Sequence, residues 1–247
     1  GSSTLELEGV SQAYEGVSVL SGVTVSLKGY ARIGVVGTSG SGKSTLLRLL
    51  AGLEDPAAGA FVLDGRDTLT TLRYESWEEQ VAYIPQDPTI FHASLRENLT
   101  FYNPQASDEH LHAVIEKLGL SELLVQLPQG LDTLIGEGAR GLSGGQAQRI
   151  ALARVVLDER KRIILFDEPT AHLDIETEME LKQAMVEVMQ ERLVVFATHR
   201  LHWLDTLDYL LVLEEGKLVE QGTTTQLLES TTHFVTLVRA LRGGEAA

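Results

Sequence analysis

Short apolar runs alternate with segments of helical periodicity along most of the chain. Residues 5–10 and 18–27 alternate apolar and polar positions, which predicts two strands. Residues 32–36 form a compact apolar run of the kind that parallel sheets bury, and a glycine-rich turn follows at once. From residue 43 to 51 the apolar positions recur at helical spacing. A strand, a loop and a helix are therefore expected to follow one another directly.

The rest of the chain predicts further strands and helices in an α/β order. Between Pro88 and Pro128 the pattern is helical, with Leu111, Val114 and Leu118 spaced for one buried face. Thr223 and Gln226 have the spacing of a capping box. The other predicted strands are residues 61–63, 81–84, 163–166, 193–197, 209–213 and 217–220, the last two joined by a turn at 215–216, and the other predicted helices are 144–157 and 175–191. Parallel strands covered by helices are the expected outcome.

Composition narrows the possible partners. A net charge of −15 argues against a surface that neutralises nucleic-acid phosphates, so no nucleic-acid partner is expected. The chain has no cysteine, which excludes disulfides and thiolate metal sites. No apolar run approaches the roughly 20 residues of a membrane span. The first residues, Gly1 to Ser3, resemble a remnant of cloning rather than a signal peptide.

The glycine-rich turn matches the phosphate-loop pattern between a strand and a helix. Its glycines let the backbone amides point at a phosphate, aided by the positive end of the following helix. Lys43 is expected to supply a charge to the β- and γ-phosphates, and Ser44 a hydroxyl ligand to Mg²⁺. The residues expected to bind the nucleotide here are Gly37, Thr38, Ser39, Gly40, Ser41, Gly42, Lys43, Ser44 and Thr45.

Two carboxylates follow a second buried strand. Asp167 closes the apolar run at 163–166 and is expected to hold the magnesium ion. Glu168 comes next, beyond the strand end, where a carboxylate can act as general base on the attacking water. Alone, the pair would be an ordinary acidic strand end before Pro169. Beside a phosphate loop it predicts hydrolysis of a nucleoside triphosphate.

The segment Leu142-Ser-Gly-Gly-Gln146 opens another predicted helix, with Ser143 as its cap and free amides at Gly144 and Gly145. It resembles the signature sequence of the ATP-binding-cassette (ABC) family, and the resemblance covers nearly the whole chain. It implies an α/β fold of the phosphate-loop NTPase class with a mainly parallel core sheet, an N-terminal antiparallel β subdomain and an inserted helical subdomain at about 88–156, all within one ATPase domain from 4 to 247. Ser143, Gly144, Gly145 and Gln146 are then expected to contact ATP.

The same resemblance assigns further residues. It implies that the Tyr14 ring stacks on adenine, that Gln86 contacts magnesium or water, and that His199 lies beside the γ-phosphate as a catalytic residue. It places residues 171–174 in the family's D-loop, usually Ser-Ala-Leu-Asp, where Asp174 is kept as a nucleotide-site residue but Ala171 and His172 depart from the pattern. These departures leave communication between two ATP sites open.

Two stretches, at 90–98 and 132–138, resemble those of ABC exporters, and residues 127–133 and 145–149 resemble half-transporters that export cysteine and glutathione. The resemblance implies a transmembrane domain in the same or a partner polypeptide, and a second nucleotide-binding domain, identical or different, that pairs with this one when ATP binds. It implies a soluble domain at the cytoplasmic face of the membrane. The alternatives are the ATPase of an importer and a soluble ABC clamp protein.

Overall fold

The computed structural model describes residues 4–28, 31–136, 141–230 and 232–245. The proposed cloning remnant at 1–3 and the last two residues of the exporter-like stretch at 132–138 lie outside these ranges. The chain divides into two compact units. The first consists of Gly1–Tyr83, Arg162–Glu168 and Glu191–Ala247, and the second of Ile84–Lys161 and Pro169–Gln190.

The first unit contains an antiparallel sheet and a mainly parallel one. The strands are β1 Thr4–Tyr14, β2 Val17–Lys28, β3 Arg32–Val36, β4 Ala58–Leu63, β5 Asp67–Leu69, β6 Val81–Ile84, β9 Ile163–Asp167, β10 Leu193–Thr198, β11 Tyr209–Glu214 and β12 Lys217–Gly222. The antiparallel sheet has the strand order β2-β1-β4-β5 and the other sheet the order β12-β11-β3-β10-β9-β6. In the larger sheet, β11, β3, β10 and β9 run parallel and β12 returns antiparallel to β11.

Four helices accompany these strands: α1 Lys43–Leu50, α2 Glu75–Glu78, α8 Thr224–Ser230 and α9 Thr232–Glu245. One hydrophobic cluster joins residues of both sheets and of α1, including Leu7 of β1, Leu47 of α1 and Val195 of β10. Because successive strand residues face opposite sides, Phe166 and Phe196 point the other way. Their rings pack 5.2 Å apart, and Phe196 packs 4.5 Å from Trp203. The larger sheet is thus buried on two faces.

The second unit is mostly helical. Its helices are α3 Leu95–Leu99, α4 Asp108–Lys117, α5 Ser121–Gln126, α6 Gly144–Val156 and α7 Ile175–Met189, and a short two-stranded sheet pairs β7 Ala93–Ser94 with β8 Leu134–Ile135. Arg154 is buried on α6 and donates to the backbone oxygen of Asn98 at 2.7 Å. No helix in the described part of the chain is both long and apolar enough to cross a membrane.

The predicted α/β fold with a mainly parallel sheet is confirmed. The Thr223–Gln226 capping box is present in both directions, at 2.9 and 3.2 Å. Strands β3 and β6 have the predicted bounds, and the predicted helices 144–157 and 175–191 end one and two residues early. The helical segment expected at about 88–156 lies within the second unit, which also takes in Pro169–Gln190. The β7–β8 pair was not predicted.

We expect Phe166→Ala to destabilise the first unit by about 3–5 kcal/mol, because a fully buried ring leaves a cavity when it is truncated. Urea unfolding followed by tryptophan fluorescence measures this, since Trp77 and Trp203 both belong to this unit. Val17→Ala, at a side chain of the same unit that is 67% exposed, is the control and should change stability by less than about 0.5 kcal/mol. Equal effects of the two substitutions would contradict the packing described here.

Candidate functional site

The phosphate loop lies between β3 and α1, as predicted. Gly42 precedes the first helical residue in the left-handed conformation, with φ of 102°. At Gly37 a Cβ atom would lie 2.5 Å from the Leu213 oxygen and from Ser41 Oγ, so no side chain fits there. The Ser41 hydroxyl is buried and has no hydrogen-bond partner among the described residues. A buried donor of this kind is satisfied when an anion occupies the loop.

Lys43 is buried at the bottom of the loop, with 6% of its surface exposed. Its ammonium donates to the backbone oxygens of Gly37 at 2.6 Å and Thr38 at 3.2 Å, and it lies 3.5 Å from Glu168 Oε1. Burial lowers the pKa of the Lys43 ammonium, and the neighbouring carboxylates of Glu168 and Asp167 only partly offset this. The Lys43 ammonium therefore donates its hydrogen bonds to carbonyl oxygens of the loop, and an anion bound in the loop could take their place.

The remaining predicted loop residues differ in exposure. Thr38, Ser39, Gly40 and Ser44 are exposed, whereas Thr45 is buried and accepts a hydrogen bond from Arg48 Nη2 at 3.2 Å. The exposed residues lie on the solvent side of the turn. The buried Thr45 is held by its own helix instead.

Asp167, at the end of β9, is joined to two hydroxyl groups. Ser44 Oγ donates to Asp167 Oδ1 at 3.1 Å, and the Tyr83 hydroxyl donates to Asp167 Oδ2 at 2.8 Å. Burial, followed by the charge and hydrogen bond of Asp167, raises the pKa of Tyr83, so Tyr83 stays a donor at neutral pH. The tyrosine thus orients the carboxylate towards Ser44. Sequence reasoning missed Tyr83 because its proximity to Asp167 depends on the sheet.

Glu168 follows Asp167 in a strained backbone conformation, with φ of 49°. Its amide donates to the Ala197 oxygen of β10 at 2.9 Å. Its carboxylate pairs with Lys43 on one side and with His199 Nδ1 on the other. Strands β3, β10 and β9 are adjacent and parallel, so their carboxyl ends lie at one edge of the sheet. The predicted residues Lys43, His199 and Glu168 follow these ends and therefore meet there.

Tyr14, at the end of β1, is 38% exposed. Its hydroxyl contacts the Glu54 carboxylate and accepts a hydrogen bond from Arg48 Nη2 at 3.1 Å. Arg48 and Glu54 form a further ion pair at 3.8 Å. The ring is consequently held at its polar end while its face remains accessible. Neither holding residue was predicted, since the sequence carries no signal for this contact.

In the second unit, the predicted signature turn begins α6. Ser143 caps the helix, accepting from the Gln146 amide at 3.1 Å, and Gln146 Oε1 accepts from the Ser143 amide at 3.0 Å. The predicted cap at Ser143 is confirmed. A Cβ atom on Gly144 would lie 2.8 Å from the end of the Leu173 side chain, and one on Gly145 2.9 Å from the Thr177 methyl group, so a larger residue at either position would require these side chains to move. The amides at this helix end form an anion site in principle.

Gln86 and Asp174 also belong to the second unit. Gln86 is half-buried, and its backbone oxygen accepts from Gln148 Nε2 at 3.1 Å. Asp174 caps α7, accepting from the Thr177 amide at 2.8 Å and its hydroxyl at 3.0 Å. These hydrogen bonds, the backbone one first, lower the pKa of Asp174. Asp174 thus has a structural task as a cap.

His172, which departs from the usual D-loop pattern, lies next to Asp87, the residue that follows Gln86. Its Nδ1 atom is 3.5 Å from Asp87 Oδ1, and both side chains are well exposed. An exposed pair of this kind contributes little to stability. His172 thus links its own loop to the segment that contains Asp87 through a contact between two ionisable side chains.

The donor set suits a nucleotide with magnesium. Mg²⁺ prefers oxygen ligands and commonly takes one or two protein groups together with substrate phosphates. Ser44 and Asp167 present such oxygens 3.1 Å apart. Among the described residues no group of three or more His, Cys, Asp or Glu side chains forms a metal site by itself. A magnesium ion here would therefore depend on the nucleotide for its other ligands.

Similar proteins were found at the level of family, sequence and structure. The family model described as ABC transporter matches residues 20–171. The chain is 47% identical to the glutathione/L-cysteine transport system ATP-binding/permease protein CydC of Bacillus subtilis, over 94% of this chain and 41% of that protein. It is 39% identical to the human mitochondrial iron-sulfur clusters transporter ABCB7, over 87% of this chain and 28% of that protein.

Among solved structures, a bacterial Atm1-family ABC exporter with ATP bound matches with a TM-score of 0.84 and 30% identity. The match covers 97% of this chain and 42% of that one. The chain thus spans well under half the length of the relatives it matches.

Because burial disfavours the Lys43 charge, we expect Lys43→Met to stabilise the ligand-free protein by about 1 kcal/mol. Glu168 keeps His199 as a partner in this variant. Urea unfolding at neutral pH measures the change. In the wild type, the pKa of Lys43 is lower in the folded state than its ordinary value of 10.5. Between these two pKa values the unfolded state binds more protons than the folded state, so the free energy of unfolding should rise with pH in this window.

Lys43→Met should lack this rise in the free energy of unfolding at alkaline pH. A variant clearly less stable than the wild type would show that the contacts of Lys43 with Glu168 and with the Gly37 and Thr38 oxygens outweigh the cost of burial.

Proposed function

Because the chain belongs to the ABC transporter family as its ATP-hydrolysing domain, we propose that it uses magnesium-dependent ATP hydrolysis to power export through an associated transmembrane domain. The observation that carries this proposal is the meeting of Lys43, Asp167, Glu168 and His199 at the carboxyl ends of three neighbouring strands. Ligands of open α/β sheets bind at this edge.

The phosphate loop is proposed to bind the triphosphate. Its amides and the Ser41 hydroxyl turn to the phosphate oxygens, and the Lys43 ammonium exchanges the carbonyls of Gly37 and Thr38 for them. Ser44 and Asp167 would hold magnesium, which neutralises charge on the phosphates when bound. Gln86 is proposed as a further ligand to magnesium or water. Thr38, Ser39, Gly40, Gly42 and Thr45 complete the loop.

Glu168 is proposed as the general base. Its carboxylate accepts the proton of the attacking water, and its amide bond to Ala197 fixes the backbone from which it projects. His199 contacts the same carboxylate, and we propose that it orients this carboxylate and lies beside the γ-phosphate. The strained φ of Glu168 supports this role, since such conformations gather at functional sites.

The signature turn is proposed to act in a second nucleotide-binding domain's site. Ser143 and the amides of Gly144 to Gln146 would cover an ATP bound to the other copy's phosphate loop, as helix N-termini bind anions. Asp174 would lie at the same interface. ATP then joins two domains head to tail, and loss of phosphate separates them.

The transmembrane partner is proposed from the lengths and names of the relatives. The Bacillus subtilis relative is an ATP-binding/permease protein, and the chain covers 41% of it. We propose that the chain, residues 4–247 with a helical subdomain at about 88–156, works at the cytoplasmic face of a membrane beside such a permease domain. A native reading frame that begins near Leu5, with no permease gene beside it, would contradict this.

We expect Glu168→Gln to bind ATP as the wild type does but to lose turnover by roughly 10²- to 10⁴-fold, because the amide cannot take the proton. The trapped nucleotide should also favour a dimer. Phosphate release, nucleotide binding by fluorescence and mass in solution measure the three effects. Glu187→Gln, at an exposed residue of α7, is the control. Wild-type turnover in Glu168→Gln would remove Glu168 from this role.

Tyr14 tests the adenine end of the site. Tyr14→Ala should weaken ATP binding about fivefold or more, since loss of aromatic stacking costs about 1 kcal/mol or more per base. Tyr14→Phe keeps the ring face and should bind within about twofold of the wild type. Val17→Ala, exposed on the same hairpin, is the control. Unchanged binding in Tyr14→Ala would show that the ring does not contact the base.

A further inference from the structure

One buried amide holds two segments that carry proposed catalytic groups. Gln148 lies on α6 with 2% of its surface exposed. Its Nε2 atom is 2.6 Å from the Pro169 oxygen, 2.9 Å from the Pro85 oxygen and 3.1 Å from the Gln86 oxygen. All of these residues belong to the second unit. Three backbone carbonyls thus meet at one side chain.

The chemistry of this contact requires a donor. A primary amide has two hydrogens, so three acceptors share them, and one bond is bifurcated. A buried carbonyl that loses its donor costs about 1–3 kcal/mol. An apolar side chain of the same length would therefore fill the space but release both segments.

Both segments end at groups that the proposed reaction uses. Gln86 is the glutamine-loop residue itself, and Pro169 directly follows Glu168 in the chain. Glu168 is held from the other side by its amide bond to Ala197. Because the proline ring fixes φ, a shift of the Pro169 carbonyl is transmitted to the backbone of Glu168. The Gln148 amide thus fixes the backbone on the C-terminal side of Glu168, as Ala197 fixes its amide.

Gln148 also lies five residues after Ser143, on the same helix. We propose that Gln148 is a positioning residue that holds Gln86, and the backbone next to Glu168, in place within its own copy. The proposal rests on the function proposed above. In the paired state proposed there, the Ser143 turn contacts the nucleotide of the other copy, whereas Glu168 and Gln86 act on the nucleotide of their own copy.

The first test separates catalysis from binding. Gln148→Met should lower kcat roughly 10- to 100-fold, as expected for misplaced catalytic groups, while KM and the dissociation constant for ATP stay within about twofold. Arg149→Met is the matched control, because Arg149 donates from the same helix to the Leu118 oxygen and to neither Gln86 nor Pro169. If Gln148→Met does not fold, Gln148→Asn replaces it, since it keeps the amide but is one methylene too short.

The second test uses mixed dimers in which one copy carries Glu168→Gln, so that only the other copy hydrolyses ATP. Gln148→Met should slow turnover when it lies in the copy with intact Glu168, and have a much smaller effect in the other copy. Equal slowing from either position, or no slowing, would overturn the proposal. Absence of turnover in a dimer of two unaltered copies would instead contradict the proposed function.

Discussion

A buried cation is the constraint on which the site depends. Lys43 lies almost fully covered under the phosphate loop, and burial lowers its pKa. Carbonyl oxygens of Gly37 and Thr38 and the Glu168 carboxylate stabilise its charge. Gly37 itself cannot carry a side chain, because the Leu213 oxygen and Ser41 Oγ occupy the volume of a Cβ. A triphosphate would relieve the same charge more completely than two neutral carbonyls.

The parallel sheet brings this local arrangement together with the other groups of the proposed reaction centre. Strands β3, β10 and β9 are neighbours, so the loop after β3, His199 after β10 and the carboxylates at the end of β9 share one edge. Tyr83 holds Asp167 from β6, and Ala197 holds the amide of Glu168. The groups proposed to face the phosphates are thus fixed by backbone and strand order.

The sequence predicted those parts of the molecule that depend on local pattern. The apolar runs predicted β3 and β6 to the residue, and the glycine spacing predicted the loop and the first residue of α1. The order of strands then placed Glu168 near His199. The contacts of Tyr83, of Gln148 and of Tyr14 could not be predicted, since each joins residues far apart in the chain. The two-residue strands β7 and β8 are too short to leave a periodic signal.

The central claim is that one nucleotide is held by the loop around Lys43 and by the Ser143 turn of a second copy. Determining the structure with a non-hydrolysable ATP analogue and Mg²⁺ tests it most directly. The account predicts the β- and γ-phosphates within hydrogen-bonding distance of the Lys43 ammonium, magnesium on Ser44, and Ser143 of the other copy against the γ-phosphate. A triphosphate bound away from the Lys43 loop would contradict it.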